Sequence, residues 1–125
     1  MKKLSIILGL MAITFSSFAK DVNEEVLKVF HNTYPDATKV SWSEDKDSYM
    51  VFFTRNNISF RVIYDTEGNI LMAFKYYGED NLPPLVLGKV KKAYPGFSVH
   101  SVVEKSSEAA IEYHITLENS KKLIT

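Results

Sequence analysis

The chain has 125 residues, with 15 basic and 15 acidic side chains, three histidines and no cysteine. That length suits one domain with one core. The balanced charge argues against nucleic-acid binding, which calls for a clustered basic excess, and the lack of cysteine excludes disulfide staples and a thiol nucleophile. A fold without staples must rest on its apolar core, and aromatic residues make up 13% of the chain.

Residues Met1–Ala19 have the three-part form of a secretory signal peptide. Lys2 and Lys3 supply the positive start, Leu4–Phe15 is apolar except for Ser5, Gly9 and Thr14, and Ser17-Phe18-Ala19 places small residues at a cleavage site before Lys20. The apolar run falls short of the roughly 20 residues needed to span a bilayer. The expected product is a periplasmic or secreted domain, residues 20–125, with no membrane attachment after cleavage. No cysteine is available at the cleavage point for a lipid anchor.

The remaining chain reads as two tandem units, about 20–78 and 79–125. Val26-Leu27 and Tyr34-Pro35 recur as Val86-Leu87 and Tyr94-Pro95, with Phe30 matched by Val90, and Val51 and Phe53 matched by Ile111 and Tyr113. Val22, Val26, Val29, Phe30 and Thr33 form a helical stripe, with Asp21 and Glu24 as a capping box. Tyr34-Pro35 ends that helix, because proline pushes the residue before it out of helical geometry.

Strands follow at Val40–Trp42, Ser48–Arg55 and Ile58–Tyr64, the last two paired across the tight turn Asn56-Asn57. Tyr64–Asn69 is a turn with Gly68 in the left-handed position, and Ile70–Tyr77 is the fourth strand. The second unit opens with the stripe Leu82, Val86, Val90 and Ala93, capped by Asp80 or Asn81, with Pro83 in the first turn. Its strands are expected at about Phe97–Glu104, Ala109–Leu117 and Lys121–Thr125, the last an edge strand guarded by Lys121 and Lys122. The fold class is α+β: two helix-plus-antiparallel-strand units forming one sheet, with both helices on one face.

Strand alternation separates Ile58, Phe60, Val62 and Tyr64 from Ser59 and Arg61, Ile70, Met72, Phe74 and Tyr76 from Leu71, Ala73, Lys75 and Tyr77, and Met50, Phe52 and Thr54 from Tyr49, Val51 and Phe53. Two helices cover only one set, so the other face keeps a surplus of aromatics, the one hint of a binding surface. Tyr49, Phe53, Arg61, Lys75 and Tyr77 are the candidate surface residues, since tyrosine and arginine often anchor interfaces. Trp42 shares a face with Val40 and is expected beneath the first helix.

Tyr34-Pro35, Val40-Ser41-Trp42, Tyr49, Phe53, Tyr64-Asp65, Gly68 and Tyr94-Pro95, in that order, resemble the PepSY-like family of exported Bacteroidetes proteins. Those proteins are similar in fold to beta-lactamase inhibitor proteins, and the resemblance spans Lys20–Thr125. It implies tandem halves of helix plus antiparallel sheet, and it leaves function open.

Catalytic and metal chemistry find little support. His31, His100 and His114 form no ligand-spaced motif, no Gly-x-Ser-x-Gly elbow is present, and Asp65, Glu67 and Gly68 are ordinary turn residues. No cofactor is expected. The reading is a non-enzymatic binding module that engages a periplasmic protein or peptide through an aromatic sheet face, in inhibitor-like fashion at its most specific. The alternative is a small-ligand carrier or sensor using a groove between helix and sheet.

Overall fold

The computed structural model describes residues 22–125. The signal peptide Met1–Ala19 and the Asp21 cap lie outside the described residues. Helix α1 (Glu24–Thr33) leads into strands β1 (Thr38–Asp45), β2 (Ser48–Arg55), β3 (Ile58–Asp65) and β4 (Ile70–Tyr77). A 3-10 turn (Glu79–Asn81) and helix α2 (Pro84–Ala93) then precede β5 (Ser98–Ser107), β6 (Ile111–Glu118) and β7 (Leu123–Ile124). The seven strands form one antiparallel sheet in the order of the chain. Both helices lie on the same face, giving the α+β architecture expected.

Helix α1 is anchored from both ends of one side chain. Asn23 is its N-cap: Oδ1 accepts from the Val26 N–H at 2.9 Å, and Nδ2 donates to the Thr66 carbonyl at 2.8 Å. An acceptor at this position satisfies a helix donor that would otherwise lack a partner. Thr66 belongs to the β3–β4 turn, where Asp65 Oδ1 accepts from the amides of Glu67 and Asn69, each at 2.9 Å. Gly68 holds φ at +88° there, and a Cβ would come within 3.0 Å of Val29 Cγ2. Glycine therefore serves twice, for the left-handed backbone and for the close approach of the helix.

The core follows from that docking. Val22, Val26 and Phe30 pack with Val51, Phe53, Phe60, Val62 and Tyr64. Phe30 meets Trp42 and Phe53 edge-on at ring separations of 5.2 Å each, a favoured aromatic geometry. Trp42 thus lies under α1, whereas Val40, expected to share its buried face, is 41% exposed because the register of β1 shifts between Thr38 and Ser41. Asn56 and Asn57 both take positive φ, 52° and 64°, so the hairpin closes in two residues and Phe53 stands opposite Phe60.

The second unit is looser. Helix α2 starts from Pro83 with no side-chain cap, because Asp80 and Asn81 are taken up in the 3-10 turn. Glu79 makes the connection instead: Oε1 accepts from Lys91 Nζ at 2.8 Å and from the Val99 amide at 3.3 Å. No residue of α2 is buried, and Leu85 is 84% exposed, although Leu82 just before the helix is buried. Strand β7 is confined to Leu123–Ile124, whereas Lys121–Thr125 was expected. Asn119 Oδ1 accepts from the amides of both Lys121 and Lys122, holding them in a turn.

Phe30→Ala is expected to cost about 3–5 kcal/mol, as a truncation that empties the centre of a core. Val90→Ala at the matching position of α2 costs only about 1 kcal/mol, since its side chain is half-exposed. Urea unfolding of the two variants checks the contrast. Asp65 is held below its ordinary value of 3.8 by the backbone and side chain of Asn69, and Glu79 below 4.5 by Lys91 and the Val99 amide. Depressed carboxylates stabilise above the unfolded-state pKa, and that contribution disappears as pH falls through the folded-state value. Thermal stability should therefore decline on acidification below these ordinary values, and Glu79→Gln should flatten part of that decline in a melting series.

Candidate functional site

No element of the described residues covers the sheet face opposite the helices, and the composition of that face follows from cross-strand register. Directly opposed residues share a face, so the pairings define rows across the sheet. The central row runs Ser41, Phe52, Arg61, Phe74, Lys105, Glu112. On one side lies Ser43, Met50, Ile63, Met72, Ser107, and on the other Thr54, Ser59, Tyr76, Val103, His114. Aromatic, methionine and isoleucine side chains occupy the middle, while serine, threonine and charged residues occupy the margin.

The centre is organised by Arg61. Its guanidinium lies over the Phe74 ring, 4.0 Å from the centroid, and Phe74 is stacked with Tyr76 at 6.5 Å and 15°. A cation held on an aromatic face gains about 0.5–2 kcal/mol and keeps its planar donors oriented. Among the described residues no carboxylate pairs with Arg61, whereas Lys105 reaches Glu112 at 3.7 Å. Phe52, beside Arg61, is 42% exposed. The face thus combines an apolar centre, an arginine with no carboxylate partner among the described residues, and a polar margin.

Of the five residues selected from sequence, the structure places Arg61 on this face and the other four on the helix-bearing side. Phe53 is buried at 3% exposure, within 4.7 Å of the Tyr34 ring and 4.9 Å of Phe60 between centroids. Tyr49 is half-buried against the core and stands opposite Tyr64. The correction was available from the hairpin: a two-residue turn pairs Phe53 with Phe60, a core position by its own alternation. Phe52, Phe74, Tyr76, Met50 and Met72, which sequence reasoning passed over, take their place on the uncovered face.

Lys75 and Tyr77 meet Glu104 instead, on the helix-bearing face. The Tyr77 hydroxyl donates to Glu104 Oε1 at 2.6 Å, and Lys75 Nζ lies 3.7 Å from Oε2. Burial and the Glu104 carboxylate push the Tyr77 hydroxyl far above the ordinary tyrosine range. With the Glu104 side chain only 13% exposed, the three residues form a satisfied polar seam between β4 and β5. Tyr113 completes it opposite Glu104. Nearby, Val90, Tyr94, Tyr113, Ile115, Leu117 and Ile124 line a groove of about 340 Å³ between α2 and the β6–β7 edge.

The histidines are spread out. His100 Nδ1 lies 3.2 Å from Glu118, and His114 Nε2 lies 3.8 Å from Glu112. Among the described residues no group of three or more histidine, aspartate or glutamate side chains converges in a metal-binding arrangement.

Comparison with known proteins finds similarity of fold. A BLIP-like protein from Bacteroides fragilis NCTC 9343 superposes with a TM-score of 0.64 at 24% identity, covering 78% of this chain and 72% of that one. A DUF2874 family protein from Bacteroides uniformis ATCC 8492 gives 0.61 at 22% identity, covering 79% and 74%. A protein from Bacteroides eggerthii DSM 20697, provisionally described as periplasmic, gives 0.61 at 19% identity, covering 78% and 73%. No family model matches the chain. No curated protein matches it.

Tyr77→Phe removes the donor to a carboxylate that has little access to water. It is expected to lower stability by about 1.5–3 kcal/mol, the usual scale for a hydrogen bond to a charged group, read as a shift of the urea midpoint at constant slope.

Proposed function

We propose that this chain is an exported, non-enzymatic binding module of the PepSY-like kind, and that it docks a protein or peptide of the cell envelope on the uncovered sheet face. The observation that carries the reading is the centre of that face, where Phe52, Arg61 and Phe74 stand in one row with no covering element among the described residues. The guanidinium seated on Phe74 offers its donors to a carboxylate or a backbone carbonyl of the partner. Met50, Ile63, Met72 and Tyr76 supply the apolar contact around it.

The BLIP-like fold of the structural neighbours supports a binding role by analogy, and fold analogy transfers no particular activity. Export rests on the form of Met1–Ala19. The structure is compatible with it, since among the described residues no helix is long and apolar enough to cross a membrane. Inhibition of a beta-lactamase is the most specific version of the reading, and a hydrolysis assay with the purified domain tests it directly.

The broader reading is tested by capture from envelope extract, comparing residues 20–125 with a Phe52→Ser/Phe74→Ser variant whose circular dichroism matches the parent. The expected result is one or more partners recovered by the parent and lost from the variant. Identical partner lists would remove the uncovered face from consideration.

A further inference from the structure

Arg61 stands in the apolar centre of the uncovered face, between Phe52 on β2 and Phe74 on β4. The Phe74 ring covers one side of its guanidinium. Nε is buried and has no acceptor, yet the residue as a whole is only half-buried. The side chain therefore meets solvent beyond Nε, at its two terminal nitrogens. Among the described residues no ion pair engages them. Lys105, farther along the same row, is in a different position, opposite Glu112 and 3.7 Å from its carboxylate. Two more carboxylates of this face lie in the row Asp45, Ser48, Asp65. That row is about 13 Å from Arg61 along β3 at the rise of a strand, too far for an ion pair, and Asp65 is already engaged by the Glu67 and Asn69 amides.

A partner that covers this centre strips water from the guanidinium. Burying a cation is costly unless an opposite charge takes the place of its hydration. A backbone carbonyl accepts a hydrogen bond but leaves the charge unbalanced. A carboxylate accepts from both terminal nitrogens at once and neutralises it, and the apolar surroundings strengthen that attraction. A phosphate-rich surface is a poorer match. It calls for several cations together, whereas here Lys105 is already neutralised by Glu112, and Asp45 and Asp65 carry negative charge at the margin.

We propose that the partner is a protein that sets the side chain of one Asp or Glu against the terminal nitrogens of Arg61, with apolar residues around it resting on Phe52, Met50 and Met72. The proposal rests on the docking role of the uncovered face and adds the charge that occupies its centre. Phe74, with Tyr76 stacked beside it, is the platform that fixes the guanidinium plane. An arginine already held in this way loses little side-chain freedom when the carboxylate arrives.

The amine introduced by Arg61→Lys allows a direct test, because a carbodiimide joins an amine to a carboxylate in contact with it. In envelope extract, that variant of residues 20–125 is expected to form an amide with an Asp or Glu side chain of a protein that the parent also retains, located by mass spectrometry. The cross-link should disappear when Phe52→Ser/Phe74→Ser is added. With that protein purified, Arg61→Gln should weaken binding at least about tenfold. Changing the cross-linked Asp or Glu to its amide should then add little further loss, since both changes break one pair. Circular dichroism checks the folding of each variant, and Arg61→Lys, which keeps the charge, should cost less than Arg61→Gln. Binding that is lost with the phenylalanine substitutions but unchanged by Arg61→Gln overturns the carboxylate and leaves the docking face standing. So do losses that simply add, the absence of any amide at the introduced amine, or one formed only with a C-terminal carboxylate. A partner list that is empty, or unaffected by Phe52→Ser/Phe74→Ser, overturns both.

Discussion

The packing of Phe30 into the aromatic group of Trp42, Tyr34 and Phe53 is the contact on which the rest of the structure depends. It fixes which face of the first four strands is inside. Once Phe53 is under α1, the two-residue hairpin commits Phe60 to the same side, and alternation then carries Val51, Val62 and Tyr64 inward with them. The residues of the uncovered face are left half-buried or exposed as a consequence. Phe52 and Arg61 reach solvent because their neighbours on either side do not.

Much of this was legible in the chain. The boundaries of β2 and β4, the Asn56-Asn57 turn and the ends of both helices follow from local chemistry: alternation, positive φ at asparagine, and proline after tyrosine. The two caps match in form, with Tyr34 at φ −128° and ψ 66° and Tyr94 at φ −130° and ψ 66°. What local chemistry could not supply was the sense of each strand's alternation relative to its neighbour. Between β3 and β4 the register shifts beside Ile63 and Tyr64, so no count of turn residues places Lys75 and Tyr77. Their spacing is equally compatible with either face, and the long-range pairings of Lys75 with Phe60 and Glu104 decide it. Phe53 is a different case, since the turn that fixed it was in plain view. The capping of α1 fell to Asn23 because its amide also had the Thr66 carbonyl to satisfy, a long-range partner with no local signal.

The two units carry very different weight. Among the described residues, eight of the eleven buried apolar residues lie between Val22 and Tyr64, whereas Leu82, Val102 and Leu117 are the buried residues of the later part of the chain. Val90 in place of Phe30 removes a ring at the point where α2 meets the sheet, and the groove beside Tyr94 is what remains. The first unit thus acts as the scaffold that holds the Arg61 row in place.

Strand order in the sheet is also strand order in the chain, with no strand inserted between earlier neighbours. Each pairing closes a short loop, apart from the β4–β5 step that spans α2, and short loops cost little entropy to close. The sheet can accordingly be assembled hairpin by hairpin from its amino-terminal end, each new strand finding an edge already formed. A chain of this kind can complete its core before its weaker half is synthesised, so the order of synthesis and the gradient of stability run in the same direction.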